Sequence, residues 1–480
     1  MLEFLNPVSP LEYEFDFPSP GLVRRTSGGP EGAAEAARFD AGFHVDDESI
    51  VRPFGGALEP HLADWVDVAL MTYVADRLAP RRDPKSPHRA YQWARRIRLT
   101  LPVRLPDLWS DARVSDALSA LLTHFTDDEW HLEFVGRRGW GRAPRQGYLF
   151  ASPPALPAVA ALQSGGLDSF SGAARHLAEA ADSSFVFVSG ATNHRQRSPQ
   201  REQVRALARR FGREVCHVTV PFGIDWRRQS HKGVEENSQR TRGFLFSTVG
   251  AAAAVAAGAA GLHVYENGVG AINLPYNATQ LGTSNSRAVH PLSLLRMSDF
   301  AETLLGTPFS FRNPFLFRTK GEMCRHPAVR AVAEYIPATF SCDGFPVQAK
   351  GKHQCGSCTS CLLRRLSLHA AGLTAFDPAD RYVCDLLDPA SKASERQLQN
   401  LRAMEWQCAK IAHRLRAKPP WQSLVTEFHD LEAVAAEFAS RGVAEHARTS
   451  RSLLRLYNAY AAEWERFPAR AHLKSRARAA

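Results

Sequence analysis

The chain has 480 residues, of which 44% are hydrophobic and 22% are charged, which is typical of a folded protein of two or three domains and excludes a disordered chain. The formal net charge of +10 suits a nucleic acid, a nucleotide or an acidic partner, and equally a G- and C-rich genome that favours arginine. The arginines are scattered rather than gathered in one run, which weakens the case for nucleic acid.

The first region, residues 1–150, predicts an α+β accessory domain without a chemical motif. Its start, Met1–Pro7, lacks the basic residues and the sustained apolar run of a secretion signal, so we expect a cytoplasmic protein. Alternating apolar residues predict strands, and apolar residues at helical spacing predict helices. The strands are Leu11–Phe17, Ile97–Val103 and Trp130–Val135, and the helices are His61–Leu78 and Val114–Phe125. A proline-rich linker at Pro153, Pro154 and Pro157 follows.

From Ala158 onward, short apolar runs alternate with helical patterns, which is typical of a parallel α/β sheet. Ligands of such sheets bind beyond the carboxyl ends of the strands, so the loops at Ser164–Ser169, Ser189–Gly190 and Glu266–Gly268 are expected to converge on one cleft. The longest apolar run, Val249–Leu262, is too short to span a bilayer of about 30 Å, and we expect no membrane partner. The first predicted strand begins at Ala158, and three further strands are predicted at Ser184–Val188, Glu214–Val220 and Leu262–Glu266. Helices are predicted at Gln200–Phe211 and Gly243–Ala257.

The most informative segment is Ser164-Gly-Gly-Leu-Asp-Ser169, which lies between a predicted strand and a predicted helix. Glycines allow positive φ angles and the close approach of a ligand, and the unpaired N–H groups of a helix start bind anions. Two serine hydroxyls add donors, so the segment predicts a phosphate-binding loop. It has neither the Lys-Ser/Thr pair of the Walker loop nor the three spaced glycines of the dinucleotide fingerprint. An ordinary turn between strand and helix is the simpler alternative.

Four cysteines form the second strong motif: Cys342, Cys355, Cys358 and Cys361. In a cytosolic protein, clustered cysteines favour metal binding over disulfides. Thiolates two residues apart can share one tetrahedral zinc ion, and Gly356 eases the turn between them. Cys342 is the predicted fourth ligand, with His353 as its competitor and an iron–sulfur cluster as the alternative to zinc.

The third region, residues 376–480, has a helical pattern. Three amphipathic helices with basic outer faces are predicted at Ser394–Leu415, Trp421–Arg441 and Ala444–Phe467. We favour a module that packs on the α/β core over an arm that binds nucleic acid.

Ser164–Ser169 resembles the signature of the PP-loop ATP pyrophosphatases, which cleave ATP between the α- and β-phosphates. In combination with the later cysteines, it resembles QueC, the 7-cyano-7-deazaguanine synthase family, whose zinc site has one cysteine well before a Cys-x2-Cys-x2-Cys run. Arg242–Phe246 and Thr319–Glu322 are weaker matches. The resemblance covers roughly residues 157–375, which defines a QueC-like domain at 151–375 between the two added regions.

The chain also departs from that family. The gap after the first cysteine is longer, the stretch after Glu266 differs, and regions are added on both sides. In this it is similar to the long QueC-like proteins of bacterial anti-phage operons, QatC of the Qat system and the QueC-like component of type IV CBASS. The resemblance implies an adenine nucleotide hydrolase-like, Rossmann-like fold. It also implies ATP-dependent activation of a deazaguanine carboxylate, with a protein amine from the same operon as acceptor, and it allows a homodimer.

The resemblance implies the site residues as well. The catalytic set is Asp168, Ser169, Arg242 and Lys320: Asp168 would orient the loop or hold Mg²⁺, Ser169 would help to surround the triphosphate, and Arg242 and Lys320 would compensate phosphate charge. Glu266, Asn267 and Gly268 would contact the planar base. The ATP-binding set is Ser164, Gly165, Gly166, Leu167, Asp168, Ser169, Val188, Ser189 and Gly190. The simpler alternatives are a helix cap for Asp168, surface cations for Arg242 and Lys320, and a strand-end turn at Glu266.

Three other functions remain open from the sequence. The chain could make 7-cyano-7-deazaguanine with ammonia as acceptor, for queuosine-type modification of nucleic acid. It could be a PP-loop enzyme that adenylates a tRNA base, which the basic charge permits and the cysteine quartet disfavours. It could also be a scaffold without catalysis, which an intact phosphate loop disfavours.

Overall fold

The computed structural model describes residues 10–28, 39–54, 57–81, 93–137, 158–225, 235–276, 286–345, 354–388 and 390–473. The proline-rich linker lies outside these ranges. Within them, ten strands form one sheet. The strands are β1 (Leu11–Ser19), β2 (Leu22–Gly28), β3 (Phe39–Val45), β4 (Arg95–Val103), β5 (Glu129–Gly136), β6 (Ala158–Leu162), β7 (Ser184–Ala191), β8 (Val215–Asp225), β9 (Gly261–His263) and β10 (Ser310–Arg312).

The sheet has the order β10-β9-β6-β7-β8-β3-β2-β1-β4-β5 and contains two parallel groups. The first five strands in this order are parallel to one another, and so are β1, β4 and β5. Antiparallel pairs through β2 and β3 join the groups. The long strand β8 is the link, because Val215–Pro221 pair with β7 and Phe222–Asp225 pair with β3. The protein is therefore an α/β protein with a mostly parallel sheet, as predicted.

Burial along the strands follows the sequence patterns. Phe185–Val188 in β7 are all buried, as expected of a central strand that is covered on both faces. In β1 the side chains of Tyr13 and Phe15 are buried, whereas Glu12 and Glu14 are exposed. Strand β1 therefore covers the core with one face only.

The helices lie between and beyond the strands. In chain order they are α1 (Glu48–Val51), α2 (Pro60–Leu78), α3 (Pro106–Ser110), α4 (Ala112–Thr126), α5 (Leu167–Glu179), α6 (His194–Phe211), α7 (Arg242–Ala256), α8 (Gly268–Ile272), α9 (Pro291–Leu305), α10 (Lys320–Cys324), α11 (Pro327–Arg330), α12 (Thr359–Ala370), α13 (Glu395–Arg416), α14 (Pro420–Glu427), α15 (His429–Ser440) and α16 (His446–Glu465). Short 3₁₀ helices cover Arg52–Phe54, Ala333–Ala338, Thr374–Phe376, Ala379–Arg381 and Pro468–Arg470. No helix in the described ranges is both long enough and apolar enough to cross a membrane.

The main hydrophobic core is shared between the first region and the α/β region. Phe300 of α9 contacts Trp65 of α2 at a ring-centroid distance of 5.8 Å, and it also contacts Trp109 and Phe244 at 6.3 Å. The C-terminal helices α13 to α16 form a second core with α8 and α12. The first region thus extends the sheet and the core of the second, and the C-terminal region is helical as predicted.

Three boundaries differ from the sequence predictions. Strand β9 ends at His263 instead of Glu266, because the chain turns at Asn267, whose side chain caps α8. The predicted helix Trp421–Arg441 is two helices that are separated at Phe428. Helix α6 begins six residues before the prediction, at His194, and the side chain of Asn193 caps it.

Candidate functional site

The predicted phosphate loop forms the turn between β6 and α5. Gly165 has a φ of +87°, a conformation that side chains other than glycine rarely adopt. A Cβ atom there would lie 2.5 Å from the ring of Phe340, so the ring also requires glycine. Gly166 precedes α5 in an extended conformation, and no side chain caps the helix. Asp168 is therefore not the helix cap that the sequence offered as an alternative.

Two glutamines on the buried face of α6 fix the loop. Gln200 Nε2 donates to the carbonyl of Ser164 at 3.0 Å, and Gln203 Nε2 donates to that of Gly165 at 3.1 Å. The N–H of Phe340 donates to the same Gly165 carbonyl at 3.1 Å. Since the N–H of a trans peptide points away from its carbonyl, the N–H of Gly165 points away from the Ser164 carbonyl, whereas the N–H of Gly166 is held by Ser164 Oγ. The first N–H groups of α5 lack helical acceptors, and such groups favour an anion.

The two loop serines contact each other. Ser164 Oγ lies 3.0 Å from Ser169 Oγ and accepts from the N–H of Gly166 at 3.2 Å. Ser169 Oγ donates to the Gly166 carbonyl at 3.1 Å. The hydroxyls and the backbone N–H groups thus lie together, as a phosphate-binding loop requires, and Leu167 anchors the turn from beneath with a fully buried side chain.

Asp168 joins three distant parts of the chain. Its Oδ2 lies 2.6 Å from Nζ of Lys320, and both side chains are buried, with residue exposures of 8% and 6%. Its Oδ1 accepts from Nδ2 of Asn267 at 3.0 Å. The same Nδ2 donates to Oε1 of Glu266 at 2.7 Å. The structure therefore brings Asp168, Lys320, Glu266 and Asn267 into one polar cluster at the N-terminus of α5.

Charge and burial shift two pKa values in this cluster. Burial, and then the carboxylate of Asp168, raise the pKa of Glu266 to about 8. Burial lowers the pKa of Lys320, but Asp168 and Glu266 outweigh it and raise the pKa overall. Both shifts follow from the close approach of two buried carboxyl groups and one ammonium group.

The three residues predicted to contact the base differ in exposure. Glu266 is partly exposed, whereas Asn267 and Gly268 are buried. Asn267 Oδ1 accepts from the N–H of Gly270 at 2.9 Å, so its amide is fully bonded within the protein. A Cβ atom on Gly268 would lie 1.9 Å from the carbonyl oxygen of Leu316. Glu266 is thus the member of this set that can reach a ligand, and the other two shape the turn that holds it.

The carboxyl end of β7 lies beside the loop. Ser189 Oγ donates to the Gln163 carbonyl at 2.6 Å and lies 2.9 Å from Nε2 of His217. The N–H of Gln163 donates to the Val188 carbonyl at 2.8 Å. Val188 and Ser189 therefore tie β7 to β6 with buried groups, while Gly190 is partly exposed at the strand end.

Arg242 lies at a different point of the sheet edge. Its guanidinium carbon is 5.2 Å from the ring centroid of Phe246, and that ring fills the space over Gly190. Burial lowers the pKa of Arg242, and its Nε has no hydrogen-bond partner among the described residues. In the described part of the chain, Arg242 makes no contact with Asp168 or Lys320. It is a second cationic group beside β7, apart from the cluster around Asp168.

The four cysteines form a compact group. Their Sγ atoms all lie within 4.8 Å of one another, and those of Cys355 and Cys361 are 3.8 Å apart. Zn–S bonds of about 2.3 Å in a tetrahedron place sulfurs about 3.8 Å apart, so the group can hold one zinc ion. The N–H groups of Cys355 and Cys358 donate to the sulfurs of Cys342 and Cys355 at 3.4 and 3.2 Å. The competing ligand His353 lies outside the described residues.

The cysteine group connects directly to the phosphate loop. Phe340, whose ring lies against Gly165, is two residues before Cys342 and stacks on Phe345 at a centroid distance of 4.2 Å. Gly356, with a φ of +83°, turns the chain between Cys355 and Cys358, as predicted. A metal at this group would therefore stabilise the ring that shapes the loop.

Sequence reasoning missed several supporting residues. Gln200, Gln203 and Phe340 hold the loop, and Glu463 of α16 accepts from Thr319 Oγ1 at 2.8 Å beside Lys320. The Thr319–Glu322 segment carries a capping-box pattern that could have predicted the start of α10. No sequence signal links Glu463 to it, because the two segments are far apart in the chain.

A separate cavity of about 550 Å³ lies between α2 and the ends of β1, β3, β4 and β5, with Phe17, Phe43, Asp67 and Arg137 in its lining. None of the predicted site residues lines it. The chemistry that the motifs predict is therefore concentrated at the loop, where side chains and backbone N–H groups converge, and not in this cavity.

Comparison of the chain with protein-family models finds no match, and comparison with curated proteins finds none either. The relation to a known family therefore rests on the motifs of the chain and on the arrangement of their residues. The arrangement itself places the turn between β6 and α5 next to a buried carboxylate–ammonium pair and near four cysteines that can hold a zinc ion.

Proposed function

We propose that this protein is a QueC-like, ATP-dependent enzyme of bacterial anti-phage defence. It adenylates the carboxylate of 7-carboxy-7-deazaguanine and transfers the acyl group to a nitrogen nucleophile, a protein amine. The observation that carries the proposal is the cluster of Asp168, Lys320 and Glu266 beside the Ser164–Ser169 loop. Three segments that the resemblance assigns to one reaction meet there although they are distant in sequence.

In the first step, a carboxylate oxygen of the substrate attacks the α-phosphorus of ATP. The bond to the bridging oxygen breaks, and pyrophosphate leaves with the electron pair. The loop N–H groups and the hydroxyls of Ser164 and Ser169 would bind the departing phosphates, and Lys320 would offset their negative charge. Because these groups are fixed before the ligand arrives, the stabilisation needs little rearrangement.

Asp168 would hold Mg²⁺, whose hard oxygen preference suits a carboxylate at a phosphate site. The ion would supply further charge neutralisation on the phosphates. Asp168 also contacts Lys320, so the carboxylate and the ammonium group would lie together beside the phosphates.

In the second step, the amine attacks the acyl carbon, the C–O bond to AMP breaks, and the amine loses a proton to give an amide. Glu266 would contact the N–H edge of the deazaguanine base. The four-thiolate site takes no part in these steps, because a closed four-thiolate zinc site is structural and redox-inert.

In the decisive experiment, the protein is incubated with ATP, 7-carboxy-7-deazaguanine and either ammonium or candidate protein partners of the same operon. The nucleotides are then separated by chromatography. The expected products are AMP and pyrophosphate, formed only with the acid present, and a partner protein with a mass gain equal to the acyl group. Release of ADP, or AMP release that is independent of the acid, would contradict the proposal.

Two variants relate the reaction to the cluster. Asp168→Asn is expected to lower AMP formation by at least about a hundredfold, because it removes the Mg²⁺ ligand and one half of a buried ion pair. Ser169→Ala keeps that pair and is expected to lower the rate by about tenfold or more. The matched control is Asp182→Asn, an exposed aspartate at the turn after α5. Thermal unfolding of each variant separates lost folding from lost chemistry.

The alternatives give different results in the same assay. With ammonium as acceptor, a product one water lighter than the amide would identify nitrile formation and 7-cyano-7-deazaguanine synthesis. AMP release that requires tRNA instead of the deazaguanine acid would identify a tRNA-modifying enzyme.

A further inference from the structure

Helix α6 carries a row of arginines on its outer face. We define the α6 arginine row as Arg197, Arg201, Arg205 and Arg209, which follow one another at intervals of four residues. Each lies about 6 Å further along the helix than the last and is turned about 40° around it, so the row is about 18 Å long and winds slowly around the helix. The last three are exposed, Arg197 is partly buried, and none has an ion pair within the described residues. The helix thus aligns four cationic side chains of one short segment along its surface.

A groove of about 250 Å³ runs beside the row, between α6 and the 3₁₀ helix Ala333–Ala338. Arg205, Arg209 and Tyr335 line it, together with Glu202, Gln203 and Ala338. The single carboxylate, that of Glu202, accepts from Ser198 Oγ at 2.9 Å. An aromatic ring thus lies next to two unpaired guanidinium groups, a combination on which a planar base can stack.

The row is close to the loop site. Gln200 and Gln203, on the opposite face of the same helix, hold the loop carbonyls. His217, which contacts Ser189 at the end of β7, has its pKa lowered to about 4 by burial and further by Arg201 and Arg205. The positive charge of the row therefore reaches into the protein toward the end of β7.

From these observations we propose that the α6 arginine row and the Tyr335 groove bind single-stranded nucleic acid. Regularly spaced guanidinium forks match a phosphate backbone, which carries one charge per nucleotide at a regular interval. An acidic protein segment would use the row equally well but has no planar base for the groove. Nucleic acid binding here does not depend on the amide-forming reaction, so the two proposals fail independently.

The test measures the fluorescence anisotropy of labelled single-stranded RNA and DNA about 10 nucleotides long, at several salt concentrations. Four phosphate contacts predict a slope of log K against log salt of about −2.8, since each contributes about −0.7. Arg201→Glu/Arg205→Glu is expected to weaken binding at least tenfold and to reduce the slope to about −1.4. Comparison of the dissociation constants for RNA and DNA shows which nucleic acid is preferred.

The matched control is Arg448→Glu/Arg451→Glu on α16, which changes the net charge equally at two exposed arginines. It is expected to bind normally, and equal loss in both variants would overturn the proposal because charge alone would then explain binding. Tyr335→Ala is expected to weaken binding, and Tyr335→Phe to preserve it. Competition by a polyglutamate peptide as strong as that by an oligonucleotide of equal charge would assign the row to an acidic protein instead.

Discussion

The ion pair of Asp168 and Lys320 shows how a single residue can serve both folding and reaction. Each charge is buried, so each depends on the other, and removing one leaves the other uncompensated at a cost of about 3–5 kcal/mol. The pairing also gives Asp168 a defined position at the start of α5. The sequence predicted both residues through their motifs, but it could not predict that they touch, because about 150 residues of chain separate them.

Glu266 provides a prediction at the residue scale. In the free protein its pKa is raised to about 8, so a base that needs a carboxylate acceptor must displace a proton when it binds below that pH. The affinity for 7-carboxy-7-deazaguanine is therefore expected to rise about tenfold per pH unit up to pH 8 and then to level off. Calorimetric titration from pH 6.5 to 9 measures this dependence.

Glu266→Gln should remove that pH dependence, because the amide does not titrate. Glu302→Gln, at an exposed position on α9, is the matched control and should keep it. Equal pH dependence in both variants would show that another group titrates on binding.

At the scale of elements, the short helix α10 depends on α16. A Cβ atom on Gly321 would lie 2.4 Å from Oε1 of Glu463, so the two helices approach closely at this glycine. Arg455 of α16 also donates to Glu322 at 2.6 Å. The C-terminal helices therefore support the helix that carries Lys320.

Glu463 makes this contact dependent on pH. Burial raises its pKa from 4.5 to about 7, with opposing contributions from Thr319 and Arg325 and a reinforcing one from Glu322. The folded protein thus holds a proton that the unfolded chain releases above pH 4.5, so this contribution to stability is complete below that pH and is lost as pH rises to about 7. Denaturant unfolding should show a decline of at most about 1.4 kcal/mol per pH unit. In Glu463→Gln the decline should be smaller, and an unchanged decline would contradict this role.

The cysteine group gives a second prediction for an element. Cys358→Ala is expected to reduce bound zinc from about one ion per chain to almost none, because three thiolates hold it less well than four. The melting temperature should fall. ATP binding should weaken as well, because Phe340, whose ring lies against Gly165, is two residues from Cys342. Metal analysis and thermal unfolding measure both effects. Cys216→Ala, outside the group, should change neither, and a brown iron-containing protein would contradict the zinc assignment.

At the scale of the molecule, the first region and the α/β region share one sheet. The pairing of β3 with β8 and the contacts of Trp65 with Phe300 cross the boundary that the sequence suggested near residue 150. Sequence patterns predicted the long helices and the strands β1, β4, β7 and β8, since their periodicity is local. They did not predict that β2 and β3 would join two parallel groups, because strand pairing is decided by contacts between distant residues.

Because the two regions share one sheet, we predict that the α/β region does not fold without the first region. A chain that begins at residue 158 would lose β3 as the partner of Phe222–Asp225 and would expose Phe300 and Phe244. It is expected to lack a cooperative thermal transition, whereas the full chain is expected to show one. Circular dichroism during heating tests this. Cooperative unfolding of the shortened chain would instead establish the independent QueC-like domain at 151–375 that the sequence predicts.

The double pairing of β8 also has a consequence for synthesis on the ribosome. Gly42 of β3 pairs with Asp225, which is made about 180 residues later. Strands β1 to β3 therefore leave the ribosome long before β8 is synthesised. Until then the edge of β3 that will pair with β8 is exposed, and it must be bound by a chaperone or covered by transient contacts within the nascent chain. Slowed translation before β8 would lengthen that wait, so aggregation during expression would depend on codon choice upstream of residue 215.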